Sequence, residues 1–200
     1  KSNNMKKLIT LLLVLVTLSS YSQTKKEIQD YHDTIVNYVE GNSHIQNITK
    51  YKKDILIYVD GDKQPYLMVE LNKIVNELNN LINTIDIKIV DTKCNMLVYL
   101  GTVKDYSKIT KDILNRSNVN GYGVIYSDLQ YNITYSEAFV NLGKVKDIKR
   151  QKHILREEIT QAMGLTNDTY QYFNSIFYQG YSSITEYSNL DKEVIKLFYN

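Results

Sequence analysis

The sequence has little of three residue types that often define a small protein. It contains no tryptophan, one proline, Pro65, and one cysteine, Cys94, in 200 residues. One cysteine excludes a disulfide bond within the chain, so burial alone must stabilise the fold. No histidine lies near Cys94 in the sequence, which favours a buried free thiol over a nucleophile. The low proline and glycine content also excludes a collagen.

The rest of the composition is typical of a packed globular protein. Apolar residues make up 43% of the chain and charged residues 23%, which is too apolar for a disordered chain. The length suits one domain of ordinary size, or at most two small ones. Eighteen tyrosines favour strands and half-buried surfaces, because the ring is apolar and the hydroxyl is polar.

The N-terminal residues 1–22 have the composition of a secretory signal peptide. Lys6 and Lys7 precede an apolar run over residues 8–18 that two threonines interrupt, and small residues follow. The run is about half of the roughly 20 residues that a membrane-spanning helix requires, and no later stretch is long and apolar enough to span. The sequence therefore predicts export, with no membrane attachment after the signal is removed.

Small residues define the predicted cleavage site. Ser20 and Ser22 occupy the two positions that a signal peptidase reads, which predicts cleavage before Gln23. Residues 1–4 are interpreted as lying upstream of a start at Met5. No cysteine directly follows the apolar run, so the acceptor of a lipoprotein anchor is missing. We therefore expect a secreted or periplasmic protein that is not a lipoprotein.

The charge balance argues against a nucleic-acid partner. Residues 1–22 hold three lysines and no acidic residue, so the remaining chain carries 21 basic and 22 acidic side chains. Phosphate binding needs a concentrated basic surface, and the basic run 144–152 is better explained as the solvated start of a helix. We therefore expect no nucleic acid to bind. The sequence gives no indication of the oligomeric state.

The hydrophobic pattern predicts an α/β (α+β) fold with a mixed sheet. A helical segment over residues 23–52 precedes one domain over residues 53–200. The predicted strands cover residues 55–59, 85–90, 96–100, 122–126 and 133–140. The predicted helices cover residues 25–40, 67–83, 105–114, 153–163 and 188–199.

One spacing in this pattern points to chemistry. The sequence reads E-E-x-x-Q-x-x-G-L-x-N-D from Glu157 onwards. Side chains four residues apart, such as Glu157 and Gln161, lie on one face of a helix. Gly164 allows a sharp turn that returns Asn167 towards them. In the zinc signature H-E-x-x-H-x-x-G-x-x-H, this spacing places three metal ligands, and the glutamate at the position of Glu158 is the general base.

Two later segments extend the pattern into a family resemblance. The stretch N-S-I-F-Y, with Ser175, Phe177 and Tyr178, resembles the Met-turn of metzincins, with Phe177 in place of the methionine below the metal. The final predicted helix resembles their last helix. Together these motifs make the chain from residue 53 to 200 resemble the bacterial family known as domain of unknown function 2927, itself metzincin-like.

The resemblance implies a metzincin-like metallopeptidase fold, with a mixed twisted sheet, an active-site-type helix, a Met-turn-like segment and a C-terminal helix. It also implies that residues 133–140 form the edge strand of a substrate cleft. Glu157, Gln161 and Asn167 then stand at the three ligand positions. Zinc prefers imidazole and thiolate to carboxylate and amide, so we expect no cofactor or a divalent metal harder than zinc.

Two further residues offer alternative ligands. Asp168 could replace Asn167, and His153 lies one helical turn before Glu157. On a helix that turns about 100° per residue, His153 is rotated by about 80° from Gln161. We therefore expect His153 to be an ordinary surface histidine.

The sequence leaves three functions open. The leading hypothesis is a non-catalytic binding protein that holds a peptide or protein in its cleft, with residues 133–140 accepting an extended peptide by strand addition. The second is an active metal-dependent peptidase or hydrolase, in which Glu158 activates a water molecule as general base. The third is a structural component of the cell envelope.

Overall fold

The structure, a computed structural model, describes residues 24–37, 48–110 and 118–200. Its elements are α1 (Lys25–Asn37), β1 (Ile55–Gly61), α2 (Pro65–Leu81), β2 (Ile87–Ile89), β3 (Met96–Gly101), α3 (Val103–Tyr106), β4 (Gly121–Ser127), β5 (Ile133–Asn141), α4 (Ile148–Ala162) and α5 (Asn189–Tyr199). The predicted signal peptide, its cleavage site and part of the predicted helix 105–114 lie outside the described residues. None of the described helices combines the length and hydrophobicity needed to cross a bilayer.

The strands form one five-stranded sheet in the order β2-β1-β3-β5-β4. Strands β2, β1, β3 and β5 are parallel, and β4 is antiparallel to β5. The connection from β1 to β2 passes through α2, because neighbouring parallel strands need a crossover. The predicted mixed α/β class is confirmed.

The edge strands of the sheet are β2 and β4, so the prediction that residues 133–140 form an edge strand was wrong. Strand β5 lies between β3 and β4 and pairs with both. Ala138, Phe139 and Val140 are consecutive and all buried, as expected for a strand that is covered on both faces. An alternation of apolar residues identifies a strand but does not show its position in the sheet.

The sheet is covered on both faces. Val98 and Leu100 point into the main core, which α2 and α4 cover. Tyr99 and Phe139 point to the opposite face and pack against Tyr106 of α3. The two sets alternate because successive residues of a strand face opposite sides.

Helix α1 is part of the same core. Its residues Tyr31 and Ile35 are fully buried, and the helix packs against α5. Ser188 and Asp191 form a capping box at the start of α5, in which each side chain accepts a backbone N–H of the other residue. The two terminal helices therefore stabilise one another against the sheet.

The order of elements is the one that the metzincin-like resemblance implies. Helix α4, which carries the motif, packs against β5 and β4. A turn at Gly164 follows this helix, and the turn at residues 175–178 precedes α5. The mixed sheet, the helix that carries the motif, the turn after it and the C-terminal helix expected from the sequence are all present.

Candidate functional site

Helix α4 has a defined start and a defined end. Asp147 caps its N-terminus by accepting the Arg150 N–H at 2.7 Å. Gly164 follows the helix with a φ of 117°, a region that glycine adopts without strain. A side chain at this position would also overlap the Thr49 carbonyl oxygen and the Phe198 ring. The turn that brings the chain back towards α4 therefore requires glycine.

The turn brings Asp168 to Gln161. The Gln161 amide Nε2 donates a hydrogen bond to Asp168 Oδ1 at 2.6 Å. Gln161 follows Glu157 by one helical turn, and the Asp168 carboxylate is near enough to raise the pKa of Glu157. The structure therefore assembles Glu157, Gln161 and Asp168 at one place.

Asn167 is directed away from this group. Its backbone N–H and its side-chain amide both donate to the Ile35 carbonyl oxygen, at 3.1 and 2.9 Å. Asn167 thus fixes α1 to the turn and does not join Glu157 and Gln161. The sequence spacing did not show this, because the direction of a side chain after a turn depends on which element packs there.

Glu158 is buried beneath the edge strand. A Cβ atom at Gly121 would overlap Glu158 Oε1, and one at Gly123 would lie 3.4 Å from Oε2. Within the described residues, Glu158 Oε2 has no hydrogen-bond partner. Burial, and then the neighbouring Glu157 carboxyl, raise the pKa of Glu158 well above its ordinary value. Alternate glycines in a strand are a sequence signal for such a close approach.

His153 and Glu157 form a buried pair one helical turn apart. His153 Nδ1 donates to the Ile184 carbonyl oxygen at 2.7 Å, and His153 Nε2 lies 3.5 Å from Glu157 Oε2. Burial lowers the pKa of His153 to about 4, whereas burial and the Asp168 carboxylate raise the pKa of Glu157 to about 8. Near neutral pH, His153 is therefore neutral and Glu157 is largely protonated.

The expectation that His153 is a surface histidine was wrong. The side chain is fully buried, because the chain segment that contains Ile184 covers this side of α4. A helical projection gives only the angle between His153 and Gln161. It does not show which sides of the helix are covered.

Hydrogen bonds of side chains hold the Met-turn-like segment. Ser175 Oγ donates to Asp191 Oδ1 at 2.6 Å and accepts from the Tyr31 hydroxyl at 2.6 Å and the Phe177 N–H at 2.9 Å. Phe177 is fully buried in the main core, and Tyr178 is half-buried. The segment therefore connects α1 to α5 beneath the turn that follows α4.

Sequence reasoning missed a buried charge cluster on the other side of α4. Arg156 is fully buried and pairs with Glu70, at 2.9 Å, and with Glu77 of α2. Its guanidinium lies 4.5 Å from the centroid of the Tyr187 ring. The spacing of Glu70 and Glu77 places both carboxylates on one face of α2, which is the signal that could have predicted a basic partner.

The group around Gln161 does not fit a zinc ion. Zinc sites use deprotonated carboxylates, thiolates or imidazoles that point to one centre. Here Glu157 is largely protonated near neutral pH, and the Gln161 amide donates to Asp168. In the parts of the chain that the structure describes, no three His, Cys, Asp or Glu side chains are placed to hold a metal ion. The group offers hydrogen-bond donors and acceptors.

Comparisons with known proteins give a family match and similar solved structures. Residues 25–200 match the family described as Protein of unknown function (DUF2927). None of the curated proteins matches the chain. The solved structure "Structure of Myroilysin" is 14% identical with a TM-score of 0.47, covering 76% of this chain and 82% of that one. "Crystal structure of myroilysin" is 14% identical with a TM-score of 0.45, covering 81% and 88%.

Proposed function

The chain belongs to the DUF2927 family, and from this premise we propose that it is an exported, non-catalytic protein that binds an extended peptide along β4. One observation carries the proposal. Strand β4 ends the sheet, and among the described residues no strand pairs with its outer side. An unpaired edge exposes a row of backbone donors and acceptors, which an added strand can satisfy.

The hydrogen-bond alternation identifies the backbone groups that face outwards. Asn141 N–H donates to the Asn120 carbonyl oxygen at 2.9 Å, so this residue pair is hydrogen-bonded. Antiparallel pairs alternate between hydrogen-bonded and non-hydrogen-bonded positions. The alternation turns the N–H and C=O groups of Gly121, Gly123 and Ile125 outwards. A peptide strand would bind these three residues mainly through its own backbone, which would make binding tolerant of peptide sequence.

The side chains beneath β4 favour binding over hydrolysis. A general base must be ionised and within hydrogen-bond reach of the water that it activates. Glu158 is buried against Gly121 and Gly123, and burial raises its pKa, which favours the protonated acid over the carboxylate. Glu157 is likewise largely protonated and lies beside the neutral His153. These groups supply a neutral polar surface beneath a bound peptide.

The test follows binding and cleavage of the same peptides. Extended, proline-free peptides are labelled with a fluorophore and mixed with the purified protein, with and without added Zn²⁺, Mn²⁺, Mg²⁺ or Ca²⁺. We expect fluorescence anisotropy to report binding and mass spectrometry to report intact peptides. N-methylation at alternate peptide positions removes the N–H donors of an added strand and should abolish binding. Methylation at the intervening positions, whose N–H groups face away, is the matched control and should not.

Two outcomes would overturn the proposal. The first is that no peptide binds while circular dichroism shows the folded protein. The second is peptide cleavage that Glu158→Gln abolishes, which would instead support a hydrolase with Glu158 as general base. Ile125→Pro removes one outward N–H at an edge position that tolerates proline, and it should weaken binding. Because the Ile125 side chain also packs against the main core, circular dichroism must show that this variant is folded.

A further inference from the structure

One surface loop has no charged side chain of its own. Residues 169–185, here called the uncharged loop, contain no Asp, Glu, Lys, Arg or His. Aromatic and amide side chains are concentrated there instead. They are Tyr170, Gln171, Tyr172, Phe173, Asn174, Phe177, Tyr178, Gln179 and Tyr181.

Three of these aromatic rings are largely exposed. Tyr170 is 69% exposed, Phe173 79% and Tyr181 80%. The side chains of Gln171 and Asn174 are also exposed. Large rings that are this exposed contribute little to folding, and a concentration of them marks a binding surface.

The backbone of the uncharged loop is fixed where it carries these rings. Thr169 and Tyr178 form an isolated bridge, in which the Thr169 N–H donates to the Phe177 carbonyl oxygen at 2.8 Å. The Tyr170 ring meets the Tyr178 ring edge to face, with centroids 6.0 Å apart. Ser175, in the middle of the loop, is bound to Asp191. The exposed rings are therefore carried on an ordered support, which lowers the entropy cost of binding.

Tyr181 is held from below by α4. The Arg150 guanidinium lies 5.2 Å from the centroid of the Tyr181 ring and donates to the Ser182 carbonyl oxygen. One face of the ring is thus covered by a cation. Because most of Tyr181 is still exposed, the ring offers a flat surface at a fixed position.

We propose that the uncharged loop binds a neutral β-1,4-linked polysaccharide. In chains of β-1,4-linked glucose or N-acetylglucosamine the ring substituents are equatorial, which leaves apolar C–H groups on both flat faces of each ring. These faces pack on aromatic rings such as Phe173 and Tyr181, while the hydroxyl groups bond to amides such as Gln171 and Asn174.

The absence of a basic cluster separates this ligand from the other candidates. The loop has no Lys or Arg of its own, Arg150 of α4 lies against one ring, and the charged side chains beside Gln171 are of both signs: Lys26, Glu27 and Asp30. Segments that bind membrane surfaces carry Lys and Arg beside their aromatic residues to meet anionic lipids. Single-stranded nucleic acids also stack on aromatic rings, but they require a basic groove. A neutral polyhydroxylated chain needs neither basic residues beside the aromatic rings nor a basic groove. The site is separate from the backbone groups of β4, so the two proposals can fail independently.

The test uses cellohexaose and hexa-N-acetylchitohexaose as soluble neutral probes and the full chain. Isothermal titration calorimetry should show binding of at least one of the two oligosaccharides. We expect the double variant Phe173→Ala, Tyr181→Ala to lose at least about tenfold in affinity, which corresponds to about 1.4 kcal/mol. Both rings are exposed, so circular dichroism should show an unchanged fold. Tyr181→Trp, which keeps a flat ring, should retain binding.

A tyrosine on another surface provides the control. Tyr131 lies between β4 and β5 and is 46% exposed, and Tyr131→Ala should bind both oligosaccharides as the unchanged chain does. The proposal is overturned if neither oligosaccharide binds, or if the double variant binds as well as the unchanged chain. Binding to phosphatidylcholine vesicles that the double variant loses, without sugar binding, would also overturn it. Peptide binding along β4 should be the same in all of these variants.

Discussion

The two sides of helix α4 differ in how they compensate buried charge. Arg156 faces α2, where Glu70 and Glu77 provide opposite charges. Glu157 and Glu158, the next two residues, face the edge strand and the segment after the helix, where burial favours their protonated forms. Because successive residues of a helix differ by about 100° in direction, one short sequence supplies both sides. On the α2 side the buried charge is balanced by opposite charges, so removing one partner leaves a buried charge uncompensated, whereas on the β4 side the buried acids are balanced by protonation.

The largest expected effect is on the paired side. Arg156→Met keeps the apolar length of the side chain but leaves Glu70 and Glu77 without their buried partner. Removing one member of a buried ion pair costs about 3–5 kcal/mol, and we expect a loss in this range for the free energy of unfolding. Urea denaturation at neutral pH measures it.

A matched variant distinguishes the lost charge from lost packing. The triple variant Arg156→Met, Glu70→Gln, Glu77→Gln removes the uncompensated carboxylates and should recover most of the lost stability. If Arg156→Met alone lowers the free energy of unfolding by less than about 1 kcal/mol, Arg156 is not needed to compensate the charges of Glu70 and Glu77.

The next effect is on the side that faces β4. Gly121→Ala places a methyl group where Glu158 Oε1 and Ile154 Cγ2 now lie. Overpacking of this kind costs about 1–3 kcal/mol in the free energy of unfolding. Adding Glu158→Ala should restore part of that stability, because it removes one of the two overlaps. Equal stability of Gly121→Ala and the unchanged chain, measured in urea, would show that Glu158 does not pack against β4.

The smallest effect is a change in pH dependence. Burial, together with Asp168, raises the pKa of Glu157 from 4.5 to about 8, so the folded state binds more protons between these values, and stability falls as pH rises. The lowered pKa of His153, about 4, acts in the opposite direction below pH 6.5. We therefore expect the clearest decrease in stability between pH 6.5 and 8.

Three substitutions test which residues cause this decrease in stability with rising pH. Glu157→Gln should reduce the decrease, which thermal unfolding across the same pH range measures, and Glu158, whose pKa is also raised by burial, contributes to what remains. Asp168→Asn should move the decrease to lower pH, because it removes a negative charge that raises the pKa of Glu157. Asp86→Asn, at an exposed carboxylate between α2 and β2, should change neither. An unchanged slope in Glu157→Gln would mean that Glu157 is already ionised in the folded protein.

The sequence predicted the helices and strands better than it predicted which of them lie next to one another. Periodicity identified the five strands, the helix carrying Glu157 and the turn at Gly164, because these depend on local geometry. It misplaced the edge of the sheet, since strand order depends on contacts between distant segments. The burial of Arg156 and the direction of Asn167 depend on α2 and α1, which lie far away in the sequence.

The connection between α1 and α5 also has a consequence for biosynthesis. Tyr31 is joined through Ser175 to Asp191. The Tyr31 contact therefore cannot be completed until a residue 160 positions later has been synthesised. A ribosome releases the chain from its N-terminus, and the core cannot close before α5 has been synthesised. During that interval the core has not closed, and the polypeptide can still pass through a translocation channel. In a chain that the sequence predicts to be exported, late closure would keep α1 open to translocation until α5 has been made.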